Sequence, residues 1–187
     1  SVYDIEARLS PLSLLLFSPK VNAEFGGGLN DGPQGKTTLE LSSDLFSLTN
    51  TYVEFPANLV VPYIQSPLPV EAFGLVVVNV QELVMKADSC VVAKGDVNWR
   101  SGAVSALNET VEVGNFNGNL SCESSLLTLT ITPDNNLGLS FKAQVSHTGR
   151  IGGNGFVKPG KNFPSKLNDV LSFIGRPDNQ GRYRVRF

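Results

Sequence analysis

Apolar and polar residues alternate along most of this 187-residue chain. The pattern begins in "VYDIEARLS", where positions 3, 5, 7 and 9 are apolar, and it returns in "LTLTIT" (127–132) and "LGLSFKAQV" (137–145). Successive side chains of a strand point to opposite faces, so the alternation predicts strands with apolar residues inward and polar residues outward. Turn-forming sequences separate the runs: "GGGLNDGPQG", "SGAVSALNE", "GNFNGN", "PDNN", "GRIGGNG" and "PDNQG". The chain is therefore predicted to be mainly β, with a curved, mostly antiparallel sheet.

Three short segments interrupt the alternation, at 10–17, 55–64 and 163–175. Each carries a proline where a helix takes its first residue, followed by apolar residues. In the third, Leu167, Val170, Leu171 and Ile174 have helical spacing, and Gly175 supplies a C-terminal stop. These segments predict a few short helices that cap the ends or edges of the sheet. The pattern leaves open whether the sheet is partly rolled, closed into a barrel or one layer of a sandwich.

Length and composition predict a single domain over residues 1–187, because 41% of residues are apolar, 17% are charged and no linker divides the chain. The net charge of -2 argues against a general nucleic-acid binder. No apolar run approaches the 18 or so residues that a membrane span needs. The chain begins at Ser1 in strand-like sequence. That start predicts a preceding segment that is missing here.

No pattern in the sequence supports a catalytic, cofactor or metal site. His147 is the one histidine, and no G-x-S-x-G, H-x-x-x-H or C-x-x-C motif accompanies it. The carboxylates are scattered, and "GRIGGNG" lacks the Lys and Ser/Thr of a phosphate loop, so it predicts a strand in which backbones approach closely. Trp99, the one tryptophan, is interpreted as a core anchor at the end of a strand, ahead of a ligand-stacking role.

Two features leave alternatives open. Cys90 and Cys122 fit either two buried thiols or one disulfide, and composition does not decide between them. In the terminal "RYRVRF", Arg182, Arg184 and Arg186 fall on one parity, so a strand would place all three on one face. A solvated or edge-protecting face explains such a row first, and a contact with an anionic partner is the alternative.

The end of the chain also resembles a known family. "LNDVLSFIGRPDNQGRYRVRF" is similar to the C-terminal stretch of the type II secretion system protein N family. The matching positions are Gly175, Arg176, Pro177, Asp178, Gly181, Arg182 and Tyr183. "CVVAKGDVNWRSGAV" with "NGNLSCESSLLTLTI" resembles the paired-cysteine region of that family, and "DIEARLSPLSLLLFSPKVNAEF" resembles the start of its periplasmic domain.

The resemblance implies an accessory protein of type II secretion, without enzymatic activity or cofactor, that acts by protein contacts. It implies a bacterial inner-membrane protein whose single N-terminal membrane helix precedes this periplasmic domain. The oxidising periplasm then implies a Cys90–Cys122 disulfide. Expected partners are the inner-membrane platform subunits and the subunit that reaches the secretin. The alternative is a module that binds lipid or another hydrophobic ligand, which would show an apolar sheet face left uncovered.

Overall fold

The computed structural model of the chain describes residues 5–10, 19–26, 32–63, 70–106, 109–146 and 150–186. The helical segment predicted at 10–17 lies almost wholly outside these ranges, as does His147. The described strands form one antiparallel sheet in sequential order, and the sheet does not close on itself. The eleven strands are β1 (Ile5–Leu9), β2 (Lys20–Phe25), β3 (Gln34–Leu41), β4 (Leu45–Pro56), β5 (Val70–Lys86), β6 (Ser89–Ala106), β7 (Glu109–Glu123), β8 (Leu126–Ile131), β9 (Leu139–Val145), β10 (Ile151–Val157) and β11 (Tyr183–Arg186).

Tight turns explain why neighbours in sequence are neighbours in the sheet. Ser124 and Ser125 connect β7 to β8, and both have positive φ, at 50° and 63°. Two consecutive residues with positive φ form the type of two-residue hairpin turn whose twist matches that of the flanking strands. The predicted sheet, mainly antiparallel and curved, is confirmed, and an open meander replaces the barrel and sandwich alternatives.

The strand register gives the sheet one face that is apolar from edge to edge, here called the apolar face. Its paired residues include Ile5 and Phe25, Val21 and Leu39, Leu48 and Leu83, Val78 and Val97, Trp99 and Phe116, Leu129 and Ala143, Phe141 and Gly155, and Val157 and Tyr183. Residues of the other parity, mostly polar, form the polar face. The alternation in the sequence thus gives the sheet its two faces, and β-bulges interrupt it within the longer strands.

Burial is concentrated in the middle of the sheet. Val80, Leu83 and Cys90 form a buried cluster against apolar side chains of the strands around them. At the β1 edge the prediction of an inward apolar parity is wrong, because Ile5 and Leu9 are 69% and 48% exposed. β1 has a neighbouring strand on one side only, and the described residues form no second layer over it.

One predicted turn lies inside a long strand, and a second lies partly inside one. "GNFNGN" falls within β7, and most of "SGAVSALNE" falls within β6. The pairing of these strands shifts between Trp99 and Ala103, where Ser101 and Gly114 have φ of 50° and 83°. The first glycine of "GNFNGN" and the start of "SGAVSALNE" therefore mark a β-bulge, which increases the local bend of a sheet. The end of "SGAVSALNE" does coincide with a chain reversal, because Ala106 of β6 pairs with Glu109 of β7.

Two of the predicted helical segments form short helical elements, as expected. In 163–175 a 3-10 turn, Ser165–Leu167, leads into α1 (Asn168–Ile174). The stop at Gly175 is confirmed, since its N–H donates to the Leu171 carbonyl over 3.3 Å with φ at 129°. The apolar stripe of α1 is mostly exposed, and Leu171 is its buried member. Segment 55–64 forms the 3-10 turns Ala57–Leu59 and Val61–Tyr63 beside β5.

A disulfide joins Cys90 of β6 to Cys122 of β7, with Cα atoms 5.5 Å apart. The ladder between these strands ends at the pair Gly95 and Leu120. The disulfide therefore holds the strands together beyond the last paired residues, inside the buried cluster. Within the described ranges, no helix combines the length and the hydropathy needed to cross a membrane.

Candidate functional site: a basic groove on the polar face

The arginine row at the end of the chain divides into two parts. Arg184 and Arg186 lie in β11, opposite Phe156 and Asn154 of β10, and both are exposed on the polar face. Arg182 precedes the strand and is half-buried. The structure therefore places the three arginines in different surroundings.

Arg182 holds the turn that leads into β11. Its Nη2 lies 2.8 Å from Asp178 Oδ2, and its Nε donates to the same oxygen over 2.9 Å. Its guanidinium carbon lies 4.3 Å from the centre of the Phe156 ring, which is cation–π distance. These contacts occupy the Arg182 side chain within its own turn.

Asp178 is the acceptor of this turn. Besides the Arg182 side chain, its Oδ1 accepts the backbone N–H groups of Gln180 and Arg182, over 2.9 and 3.0 Å. The hydrogen bond from the Arg182 side chain, followed by that from the Arg182 backbone, lowers the pKa of Asp178 to about 2. Asp178 therefore stays ionised, and its turn stays charged, far below neutral pH.

A shallow groove of about 680 Å³ lies on the polar face beside Arg184 and Arg186. We call it the basic groove. It is lined by Leu126, Lys142, Gln144, Ser146, Arg150, Ile151, Gly152, Gly153, Asn154, Arg184 and Arg186. The register of β9, β10 and β11 forms it, because Lys142, Asn154 and Arg186 stand side by side across the three strands. Arg150 reaches it from the β9–β10 connection, where its N–H donates to Ser146 Oγ over 3.0 Å.

The groove concentrates positive charge in a chain whose net charge is -2. Lys142 is neutralised by Glu123, with Nζ 2.6 Å from Oε2. In the described part of the chain, Arg150, Arg184 and Arg186 have no carboxylate within ion-pair distance. Among the described residues that line the groove, none is acidic. It therefore presents three uncompensated guanidinium groups, which are suited to carboxylates or other planar anions.

A second groove, here the apolar groove, lies on the apolar face and has a volume of about 210 Å³. Its lining is Val97, Trp99, Val104, Val113, Phe116, Gly118, Leu129, Ile131, Leu137 and Leu139, none of which is charged. The Trp99 and Phe116 rings stack at 5.3 Å, and Trp99 Nε1 donates to the Phe73 carbonyl over 3.0 Å. Trp99 lies within β6, not at its end, and it is half-buried.

The described residues hold no group of three or more metal-ligating side chains. Sequence reasoning found Arg184 and Arg186 but missed Lys142 and Arg150. Their contribution depends on the pairing of β9, β10 and β11, which a single sequence does not specify. The glycines of "GRIGGNG" correctly predicted a strand whose backbone lies close to its neighbours, because three of them lie in β10, which packs closely against β9. An ideal Cβ on Gly155 would lie 2.1 Å from the Ser140 carbonyl oxygen.

Comparison with known proteins identifies the family to which the chain belongs. The sequence model of the family "Type II secretion system (T2SS), protein N" matches residues 1–186. The chain belongs to this family. Type II secretion system protein N of Vibrio cholerae is 23% identical over 184 residues, covering 98% of this chain and 73% of that protein. The Klebsiella pneumoniae protein of the same name is 30% identical over 135 residues, covering 71% of this chain and 54% of that protein.

The corresponding protein of Aeromonas hydrophila is 23% identical over 190 residues and covers 100% of this chain and 74% of its own length. No solved structure matches the chain significantly. The resemblance that the terminal motif carries is thereby confirmed. Membership of the family supports an accessory role in type II secretion and, with it, other secretion subunits as partners.

Proposed function

We propose that residues 1–187 form one periplasmic domain that serves type II secretion by protein contacts and not by catalysis. In this proposal the natural protein continues at its N-terminus into a single helix anchored in the inner membrane. Family membership supports the secretion role. The Cys90–Cys122 disulfide supports an oxidising compartment, since such bonds persist in the periplasm and are rare in the cytosol.

The observation that carries the contact surface is the set of unpaired arginines in the basic groove. Arg150, Arg184 and Arg186 surround one shallow concavity without a neutralising carboxylate in the described residues. Such a surface favours an acidic segment of a partner, because opposite potentials speed association and fix its register. The partner in this proposal is a platform subunit of the inner membrane or the subunit that reaches the secretin. Arg182 supports the surface by holding the turn before β11.

We expect Arg150→Glu, Arg184→Glu and Arg186→Glu, combined in one variant, to weaken capture of the secretion partner roughly ten- to hundred-fold. The estimate takes about 0.5–1 kcal/mol for each exposed charged contact. Capture would be measured with the individually purified secretion subunits, at low and at high salt. Wild-type binding should weaken as salt rises, because exposed charges are screened.

The matched control changes the same total charge elsewhere, with Lys158→Glu, Lys161→Glu and Arg176→Glu. All three side chains are exposed and lie outside the groove. The control should bind as the wild type does, and both variants should unfold at the wild-type temperature. If the groove variant binds every secretion subunit as tightly as the wild type, the proposed docking surface is wrong.

A second candidate function, binding of a lipid acyl chain, is favoured by the apolar groove. Its described lining residues are uncharged, it lies on an apolar face, and the described elements form no second layer there. An acyl chain fits such a lining, since ligand sites are mostly apolar concavities. Native mass spectrometry should then show phospholipid bound to the purified chain. The adduct should be lost in Leu129→Arg and kept in Leu41→Arg, which changes an exposed position of β3. A wild-type chain free of lipid contradicts this candidate.

A further inference from the structure

β1 is an exposed strand at one end of the sheet. All five of its residues are exposed, and its one partner in the described chain is β2. An outer strand of this kind presents a row of unpaired backbone groups that another strand can join. Its side chains alternate strictly, with Ile5, Ala7 and Leu9 on the apolar face and Glu6 and Arg8 on the polar face.

The hydrogen bonds around β2 show which backbone groups face outward. Ser10 N–H donates to the Lys20 carbonyl over 3.0 Å, and Leu41 N–H donates to the Pro19 carbonyl over 3.1 Å. Antiparallel pairs alternate between bonded and non-bonded positions. The even-numbered residues of β1 therefore bond to β2. Ile5, Ala7 and Leu9 direct their N–H and C=O groups to the free edge.

We propose that two copies of this chain join through their β1 strands in a two-fold symmetric, antiparallel pair centred on Ala7. Ala7 then faces Ala7 of the partner subunit as a bonded pair, and Ile5 faces Leu9 of the partner subunit. On the polar face, Glu6 lies opposite Arg8 of the partner subunit, and symmetry repeats that pair. Every outward backbone group of the strand finds a partner, and the apolar faces of the two copies become continuous.

Charge and pattern together select this register. A shift by one residue would place Ile5 opposite Arg8 in one direction, or Leu9 opposite Glu6 in the other, so the apolar face of one copy would continue into the polar face of the other. The Glu6–Arg8 ion pair within one chain, 3.6 Å apart and largely exposed, shows that both groups already occupy the face where the cross-subunit pairs form. Those pairs therefore need only small side-chain movements.

The opposite edge of the sheet does not offer the same contact. In β11 the polar parity holds Arg184 and Arg186. Any antiparallel pairing of β11 with itself that keeps matching faces together puts arginine opposite arginine. Like charges directly opposite are destabilising. The dimer therefore uses β1 and leaves the basic groove free, so this proposal stands apart from the proposed secretion contact.

The test exchanges the two charges. Glu6→Arg alone and Arg8→Glu alone each place like charges opposite one another, and each should weaken dimerisation at least ten-fold in analytical ultracentrifugation. The double variant Glu6→Arg/Arg8→Glu restores opposite charges and should restore the wild-type dimerisation constant. All three variants change exposed side chains, so unchanged circular dichroism serves as the folding control.

A covalent variant tests the centre of the pair. Ala7→Cys should form a disulfide-linked dimer under mild oxidation, since bonded antiparallel pairs hold their Cα atoms about 5.5 Å apart. Val170→Cys, exposed on α1, should not. A chain that stays monomeric at about 100 µM would overturn the proposal. So would single charge reversals without effect, or a dimer abolished only by reversing Arg184 and Arg186, which would indicate β1-to-β11 contact.

Discussion

Replacing Cys90 and Cys122 together with alanine is expected to lower the free energy of unfolding by roughly 3–4 kcal/mol. The disulfide joins residues 32 apart in sequence, and it restricts the unfolded chain accordingly. In a chain of this length, a loss of that size lowers the melting temperature by roughly 6–16 °C. The effect is large because the disulfide holds β6 and β7 together where their ladder has already ended.

Urea unfolding of the wild type with and without reductant supplies the measurement without any substitution. Reductant should lower the stability of the wild type almost to that of the double-alanine variant, and it should leave that variant unchanged. Equal stability of the oxidised wild type and the double-alanine variant would show that the disulfide adds nothing to the fold.

Phe116→Ala is expected to lower the free energy of unfolding by about 3–5 kcal/mol. Phe116 is 5% exposed, and its ring stacks on Trp99 in the middle of the sheet. Truncation removes a large apolar side chain and leaves Trp99 without its stacking partner. An open sheet has few other layers that could close over the space.

Phe173→Ala is the matched control, since Phe173 lies on α1 and is 79% exposed. We expect this variant to stay within about 0.5 kcal/mol of the wild type, as surface substitutions usually do. Urea unfolding followed by tryptophan fluorescence reports both changes, because Trp99 is the one tryptophan. Similar stabilities for the two variants would show that the buried Phe116 side chain adds little to the stability of the fold.

Much of the fold could be read from alternation. The residues of β9, of β11 and of β8 from Leu127 onward keep a strict period of two, and the structure places their apolar members on one face. The period failed where bulges occur, as at Ser101 and Gly114, because glycine and small polar residues mark bulges as readily as turns. It also predicted burial at Ile5 and Leu9, although periodicity says which side chains share a face and not whether that face is covered.

The candidate site was less accessible to sequence reasoning. Arg184 and Arg186 stand out in the terminal strand, but the groove depends on Arg150 and Lys142, which the pairing of three strands brings beside them. Arg182 shares their parity, yet Asp178 and Phe156 hold it in the turn. The contacts of each guanidinium group are needed to distinguish an arginine that stabilises the fold from one that is available to bind a partner.

Photo-crosslinking in living cells tests most directly the claim that the basic groove binds a secretion partner. The crosslinking residue would replace Arg184 in the natural full-length protein, with Lys158 as an exposed control position and Leu129 as a position in the apolar groove. Mass spectrometry would identify the adducts. We expect adducts with type II secretion subunits from position 184 and none from position 158. Lipid adducts from position 129, with no secretion subunit captured from position 184, would contradict that claim.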